Sequence, residues 1–590
     1  MSVSAIAEDG KIGVEIKRSD FMIKSNVTSS SVINAAIERY QYLIEHEYYE
    51  SPIDRDSGTL KTMGSIYSLE SYTLDVPADG KACIVAKTPF GAVRALETFS
   101  QLVTANSGRK VIRNAPVKIS DTPKFSHRGI LLDTSRNFFH VDAILRTLDA
   151  MAYNKLNVLH WHVVDAFSWP IESKIHPELT EKGAYTLDMR YSYEDVKKII
   201  TYAKNRAVRI IPEFDMPGHT YIIGESHPEL MACMNKQPNW DKYTAEPPSG
   251  QLNIADPRAI SFAFDIMAEY SRLFVDLQYH MGGGALNLDC FGEEPTIEMY
   301  VRDHPGESVD SLIVGWSTQM ANKLDDLGKI PMVWEDTILS HNFTARNTTI
   351  VQAWINEDSV GKIVDRGYRA VASPWNKYYL DCGHGSWLSD FGGTSWCDPY
   401  KGWQTIYTYD PLANITDPIK QKLVLGGEVA LFSSQSDETT IDRNLWPRAS
   451  AFAEVMWTGN IDPRFRMVAR GIMAEPLQPL WCFLDHIFQR EKTLRKFLDA
   501  LHSDGLVAQE ARLGNAHKQL YGMDEGTDTY VPTSGAGDSK VSTSRVRPEN
   551  TATYFTYNNS YSQQQDNASG AQFSRVDDDY IFESGARARV

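Results

Sequence analysis

The 590-residue sequence predicts an α/β protein: a (β/α)8 TIM barrel preceded by a small α/β domain. Three observations carry this. From about residue 120 onward, short apolar runs alternate with stretches of helical periodicity. Repeated βα units of this length imply a parallel sheet sheathed in helices, and so many in succession favour a closed barrel over an open sheet. The stretch before residue 116 has a different rhythm, two strand-like runs followed by one helix. The composition, 42% hydrophobic and 23% charged, is ordinary for a chain that buries a large core. At ~150 residues per domain the length allows about four domains, but barrels take ~250 residues as one unit, which favours two or three.

In the first part, SYTLDVP (71–77) and KACIVAKTP (81–89) read as strands joined around Ala78-Asp79-Gly80. A helix follows through FGAVRALETFSQLV (90–103), with Val93, Leu96 and Leu102 on one side. Asn114-Ala115-Pro116 marks a boundary. The barrel strands are then expected at GILLD (129–133), NVLHWHVVD (157–165), AVRIIPEFD (207–215), LQYHMGG (277–283), IPMVWED (330–336), TIVQAW (349–354), RAVASP (369–374) and LVLGGEVALF (423–432). Between them, 142–155 carries Ile144, Leu148 and Met151 at helical spacing. Ser192-Tyr193-Glu194-Asp195 resembles a capping box, with Asp in place of Glu or Gln, ahead of Val196, Ile199, Ile200 and Ala203. After Cys482, Leu484, Ile487, Leu494, Phe497, Leu498 and Leu501 predict an amphipathic helix, and from about Gly522 the polar composition predicts a disordered tail. The expected units are 1–118, 119–482, 483–522 and 523–590.

Lys+Arg 59 against Asp+Glu 76 gives a net charge of -17, and with no local basic patch a nucleic-acid partner is excluded. No apolar run approaches the ~20 residues that cross a bilayer. The opening MSVSAIAEDG lacks the basic start and apolar stretch of a signal peptide. Yet Cys83, Cys233, Cys290, Cys382, Cys397 and Cys482, and sequons at Asn26, Asn342, Asn347, Asn414, Asn558 and Asn567, suit a secretory history. No pair of cysteines forms a CxxC, so a zinc or redox motif is not expected.

Barrel chemistry sits at the carboxyl ends of the strands, so those segments hold the candidate site. They are HRGILLDTSRNF (127–138), LHWHVVDAFSW (159–169), EFDMPGHT (213–220), YHMGGGALNLDCF (279–291), VWEDT (333–337), QAWINED (352–358), PWNKYYLDCGHG (374–385) and GGEVALFSSQSDE (426–438). Aromatic rings beside carboxylates suit a sugar, whose C–H faces pack on rings and whose hydroxyls donate to carboxylates. A single ring at a strand end is mostly core or rim packing; it is eight motifs in step with the βα rhythm that favour a sugar site. His160 and His162, two apart on a strand, face the same way and could share a divalent metal; the plainer reading is that hydrogen bonds satisfy both inside the barrel.

With these motifs in hand, the chain resembles glycoside hydrolase family 20, the β-N-acetylhexosaminidases, in their fungal form. The resemblance runs over roughly residues 20–482 and is carried by HEYYES (46–51), TPFGAVRALETFSQLV (88–103), RGILLDTSRNF, MAYNKLNVLHWHVVD, EFDMPGHT, RNLWPRASAFAEVMW (443–457) and ARGIMAEPLQPLWC (469–482). It implies the same two-part fold and a substrate-assisted hydrolysis in which the sugar's own acetamido oxygen attacks the anomeric carbon. In the family motif H-x-G-G-D-E, the Asp steadies the acetamido group and the Glu donates a proton to the leaving oxygen and later activates water. Here His280-Met281-Gly282-Gly283 is followed by Gly284 and Ala285, so neither role has a side chain and no catalytic residue is assigned. A second departure puts Phe432 and Ser434 where the family has Trp and Glu.

Other implied substrate-binding positions survive: Arg136 for sugar hydroxyls, Asp165 and His219 as a polar pair, Trp334 and Trp354 as walls, and Tyr379 and Asp381 for the acetamido group. The resemblance also implies disulfides Cys233–Cys290 and Cys382–Cys397, an N-acetylhexosamine-containing oligosaccharide as partner, no cofactor or metal, and a secretory or extracellular location; it admits a homodimer. The expectation is a hexosaminidase-like protein with impaired catalysis. Two alternatives stay open: turnover through a relocated carboxylate, with Asp289, Glu293 and Glu294 nearest in sequence, or a non-catalytic glycan-binding or structural role.

Overall fold

The computed structural model describes residues 4–8, 11–16, 21–27, 29–46, 70–78, 81–106, 109–112, 115–386 and 393–459. Most of the 46–51 motif, the 469–482 motif with Cys482, the predicted helix and tail beyond it, and the sequons at Asn558 and Asn567 lie outside the described residues.

Eight parallel strands close into a barrel: β1 His127–Asp133, β2 Val158–Val164, β3 Arg209–Phe214, β4 Gln278–His280, β5 Ile330–Trp334, β6 Ile350–Ala353, β7 Arg369–Ala372 and β8 Val424–Leu431. They neighbour one another in chain order, and β8 pairs with β1 through Gly426↔His127 to Leu431↔Leu132. Every residue of β1 and β2 is buried, as expected where one face meets the lumen and the other meets helices. All eight expected runs form strands; β1 extends two residues ahead of its run and the other seven are shorter than theirs. The helix Val141–Tyr153 buries Ile144, Leu148 and Met151 against the barrel. The helix Tyr193–Lys204 starts at Ser192, whose hydroxyl accepts from Asp195 N while the Asp195 carboxylate accepts from Ser192 N, so the shorter acid completes the box.

The lumen is layered by the two-residue pleat. Val158, Ile211, Met332, Ile350 and Val371 make an apolar layer. Two residues on, His160, Glu213 and Gln352 belong to a polar layer that also takes in His280 and Glu428. Gly129 on β1 makes room for it: a Cβ there would stand 2.6 Å from Glu428 Cγ.

In the small domain, Tyr72–Val76 pairs antiparallel with Cys83–Ala86 and with Val117–Asp121, so this sheet continues past the Pro116 break. A second sheet has the order Ser4–Glu8, Lys11–Glu15, Arg109–Ile112, Val103–Asn106. The helix Pro89–Leu102, capped by Thr88, stops at β-branched Val103, which begins a strand of that sheet. This domain docks at the amino ends of the barrel strands. Arg94 donates to Leu156 O at 3.0 Å and Ala207 O at 2.8 Å, and Glu70 bridges Arg94 and Arg128 at 2.8 and 2.7 Å. The opposite, carboxyl-end face is left for the site. Among the described residues, no helix is long and apolar enough to cross a membrane.

Candidate active site

Glu213, fully buried at the end of β3, anchors the floor of the barrel mouth. It accepts from Trp334 Nε1 at 2.6 Å and pairs with His162 Nδ1 at 2.6 Å, His280 Nδ1 at 3.0 Å and His160 Nε2 at 3.1 Å. Burial would raise its pKa; the imidazoles of His280, His162 and His160 outweigh that and hold the carboxyl well below the usual range. Burial likewise opposes charge on His160, but Glu428 at 2.9 Å and Glu213 push it up to about 9. His162 also contacts Asp165 Oδ2 through Nε2 at 2.9 Å, so carboxylates engage both its ring nitrogens.

Above this floor Arg136 gathers acids. It lies 3.1 Å from Asp133, 3.0 Å from Asp165 and 3.0 Å from Glu246, and its guanidinium sits over the Phe432 ring at 5.2 Å. Burial disfavours its charge, but Asp165, Glu246 and Asp133 raise it well above the ordinary arginine value. His219 stands 3.3 Å from Asp165 and is pushed up to about 9 by that carboxylate, against burial. Burial leads in lifting the neighbouring Asp215 to about 7, with His219 opposing and Glu213 adding; its Oδ1 accepts from Gly283 N at 2.9 Å.

One side of the mouth is a wall of rings. Trp354 stacks on Tyr379 at 6.4 Å, Tyr379 tilts against Phe432 at 5.5 Å, and Trp396 meets both Trp354 and Tyr379 edge-on at 6.2 Å. Trp354 Nε1 donates to Asp336 Oδ2 at 2.6 Å, which fixes its plane. Asp381 accepts from Phe432 N at 3.4 Å, and burial raises it to about 7 against backbone hydrogen bonds that favour the anion. The disulfide Cys382–Cys397 (Cα–Cα 5.3 Å) closes the loop carrying Trp396, and Cys233–Cys290 (5.8 Å) ties the segments after β3 and β4.

The β4 end completes the ring of segments. A Cβ built on Gly284 would stand 3.0 Å from Trp334 Cδ1, so position 284 lies against that ring. Ala285 is exposed with φ 47°, and shares a small cleft with His219, Ala166, Tyr243, Gln251 and Asn287. The chain does not stay extended to Asp289. Asn287 caps the helix Leu288–Glu293 by accepting from Cys290 N, and this turns the three sequence-adjacent acids into other contacts. Glu293 binds Lys242 and Tyr243, Glu294 takes Cys233 N, and Asp289 is exposed.

The profile described as "Glycosyl hydrolase family 20, catalytic domain" matches residues 125–460, and "beta-acetyl hexosaminidase like" matches 54–102. A beta-hexosaminidase of Emericella nidulans is 34% identical over 461 residues, 70% of this chain and 76% of that one. This chain belongs to glycosyl hydrolase family 20. The beta-hexosaminidase 1 of Coccidioides posadasii is 36% identical over 465 residues, covering 70% and 77%. The X-ray structure of Flavobacterium johnsoniae chitobiase superimposes with a TM-score of 0.66 at 26% identity, over 85% of this chain and 74% of that one.

In this family 20 member, Arg136, Asp165 and His219 form one ion-paired group, and Trp334, Trp354, Tyr379 and Asp381 lie along the adjoining wall and floor. Reasoning from sequence missed Glu213 and Asp215 as individuals, although both stood in a strand-end motif. It also missed Glu246 and Trp396, which arrive from irregular segments. The adjacency of Trp396 to Cys397 was the one signal available for the latter.

Proposed function

We propose that this chain binds a terminal β-linked N-acetylhexosamine in the barrel mouth and hydrolyses it weakly or not at all. One observation carries the reading: hydrogen and methyl stand at Gly284 and Ala285, in a mouth whose arginine, paired carboxylates and ring wall are otherwise in place. General acid–base catalysis contributes ~10²–10⁴-fold, and losses within one catalytic unit do not add. Release of p-nitrophenol from the N-acetyl-β-glucosaminide is therefore expected at least ~10²-fold below a fungal relative assayed alongside. Comparable turnover overturns the reading. The triple variant Gly284→Asp, Ala285→Glu, Ser434→Glu is expected to regain hydrolysis. Ala285 already bears the strain of a positive φ, so Glu adds little to it, and Asp at 284 needs Trp334 to give by a few tenths of an ångström. Chitobiose binding that weakens in Tyr379→Phe separates a sugar site from an unused one.

A second reading, turnover through a displaced carboxyl, is supported by Asp215, raised to about 7 and hydrogen-bonded to the Gly283 N–H one residue before the vacated pair. Residual hydrolysis that Asp215→Asn abolishes favours it; an unchanged rate dismisses it. The two disulfides support an oxidising, secretory compartment for either reading.

A further inference from the structure

The tetrapeptide His-Pro-Glu-Leu occurs twice, at 176–179 and 227–230, once after β2 and once after β3. Each histidine immediately precedes a short helical turn that begins with its proline. The fold brings the two together: their rings meet edge-on at 5.6 Å, and both pack on Phe262, at 4.7 and 5.1 Å. Glu178 turns into the gap, its Oε1 3.4 Å from His176 Nδ1 and 3.1 Å from His227 Nε2.

The hydrogen bonds beside His227 bear on its tautomer. The Ser226 hydroxyl donates to Ile223 O at 3.1 Å, and its oxygen lies 2.9 Å from His227 Nδ1. With the Ser226 proton on Ile223 O, we assign the ring proton of His227 to Nδ1, which leaves Nε2 facing the Glu178 carboxylate. A lone pair facing an anion calls for a cation between them. His176 is flanked in the same manner. Its Nδ1 faces Glu178, while its buried Nε2, without a hydrogen-bond partner, has Asp265 Oδ2 at 3.6 Å. A carboxylate behind a ligating imidazole is the usual outer partner of a metal-bound histidine. Tetrahedral zinc with arms of ~2.0–2.2 Å sets its donors about 3.3–3.6 Å apart, close to the two separations found here.

We propose that His176, His227 and Glu178 bind one Zn²⁺, with Asp265 as outer partner of His176, and that the ion fastens the segment after β2 to the segment after β3. The latter begins at Asp215 and carries His219 eight residues before His227, so the ion braces the backbone that carries a mouth residue. His176, His227 and Glu178 keep 18%, 18% and 36% of their side-chain surface, so the ion can enter from solvent.

The test is calorimetric titration of ZnCl2 into the full, untagged chain after chelator treatment at neutral pH. One equivalent is expected to bind. His176→Ala and His227→Ala are each expected to weaken binding at least about tenfold, Glu178→Gln to weaken it less, and Cys83→Ser to leave it unchanged. Zinc should raise the melting temperature of the parent and not of the histidine variants. Co²⁺ should give tetrahedral visible bands that His227→Gln abolishes; this milder variant serves if an alanine variant fails to fold. Absence of zinc binding, which would mean that protons alone bridge the cluster, overturns the proposal. So does binding that survives in both histidine variants.

Discussion

The two ends of the barrel each bury an arginine and surround it differently. At the amino end Arg128 meets one carboxylate, Glu70, and spends its remaining donors on the carbonyls of Phe125 and Lys155. Burial lowers its pKa, with Glu70 only partly offsetting this. At the carboxyl end Arg136 meets three carboxylates and is held well above its ordinary value. One end is balanced by neutral dipoles and serves to join two domains. The other carries surplus negative charge around a single guanidinium. Barrels separate stability from chemistry in this way, with the fixed network below and the adjustable one above.

The largest expected effect breaks the lower network. Glu70→Ala leaves Arg94 and Arg128 without their shared carboxylate, and a cost of about 3–5 kcal/mol is expected from urea unfolding. A cost near zero would mean that the carbonyls alone suffice. Next is pH. The folded-state pKa of Asp215, about 7, lies above the unfolded carboxyl value of ~3.9, so the folded state binds the extra proton and stability falls as pH rises between them. Asp215→Asn should remove a loss on the order of 2–4 kcal/mol across that window. His160 and His219, at about 9, carry the decline further: the stability they add is complete below ~6.5 and lost as pH rises through about 9. Melting temperatures of the parent and Asp215→Asn, followed across this range, check both parts. Gly129→Ala forces a methyl onto Glu428 and should cost about 1–3 kcal/mol by overpacking. Smallest is Glu246→Gln. Arg136 keeps Asp133 and Asp165, and the loss should stay below about 1 kcal/mol. A larger loss would make the upper network as structural as the lower and dissolve the contrast.

Much of this was readable in advance, for physical reasons. Strands buried on both faces leave unbroken apolar runs, which is why all eight were visible. Ser192 and Asp195 announced a helix start because capping is local. Arg136, Asp165 and His219 stand in motifs at strand ends, where the fold itself directs attention. Glu246 was hidden because it follows a short turn at Trp240–Lys242 with no periodicity to place it. The strand at Val117–Asp121 was hidden by the proline just before it, which read as a break. The fate of Asp289, Glu293 and Glu294 was hidden because the strand stops at His280, the backbone turns left-handed at Gly282, Gly283 and Ala285, and Asn287 then caps a helix.

The pairing of β8 with β1 has a consequence for biosynthesis. Glu428 meets His127 and His160 across 301 and 268 residues of chain. While the ribosome is still making the last strand, His127 lacks its carboxylate, His160 has only Glu213, and β1 keeps one edge open. A nascent chain halted before that strand emerges presents a template for misassociation, so the synthesis of residues 424–431 decides between a finished ring and an aggregate.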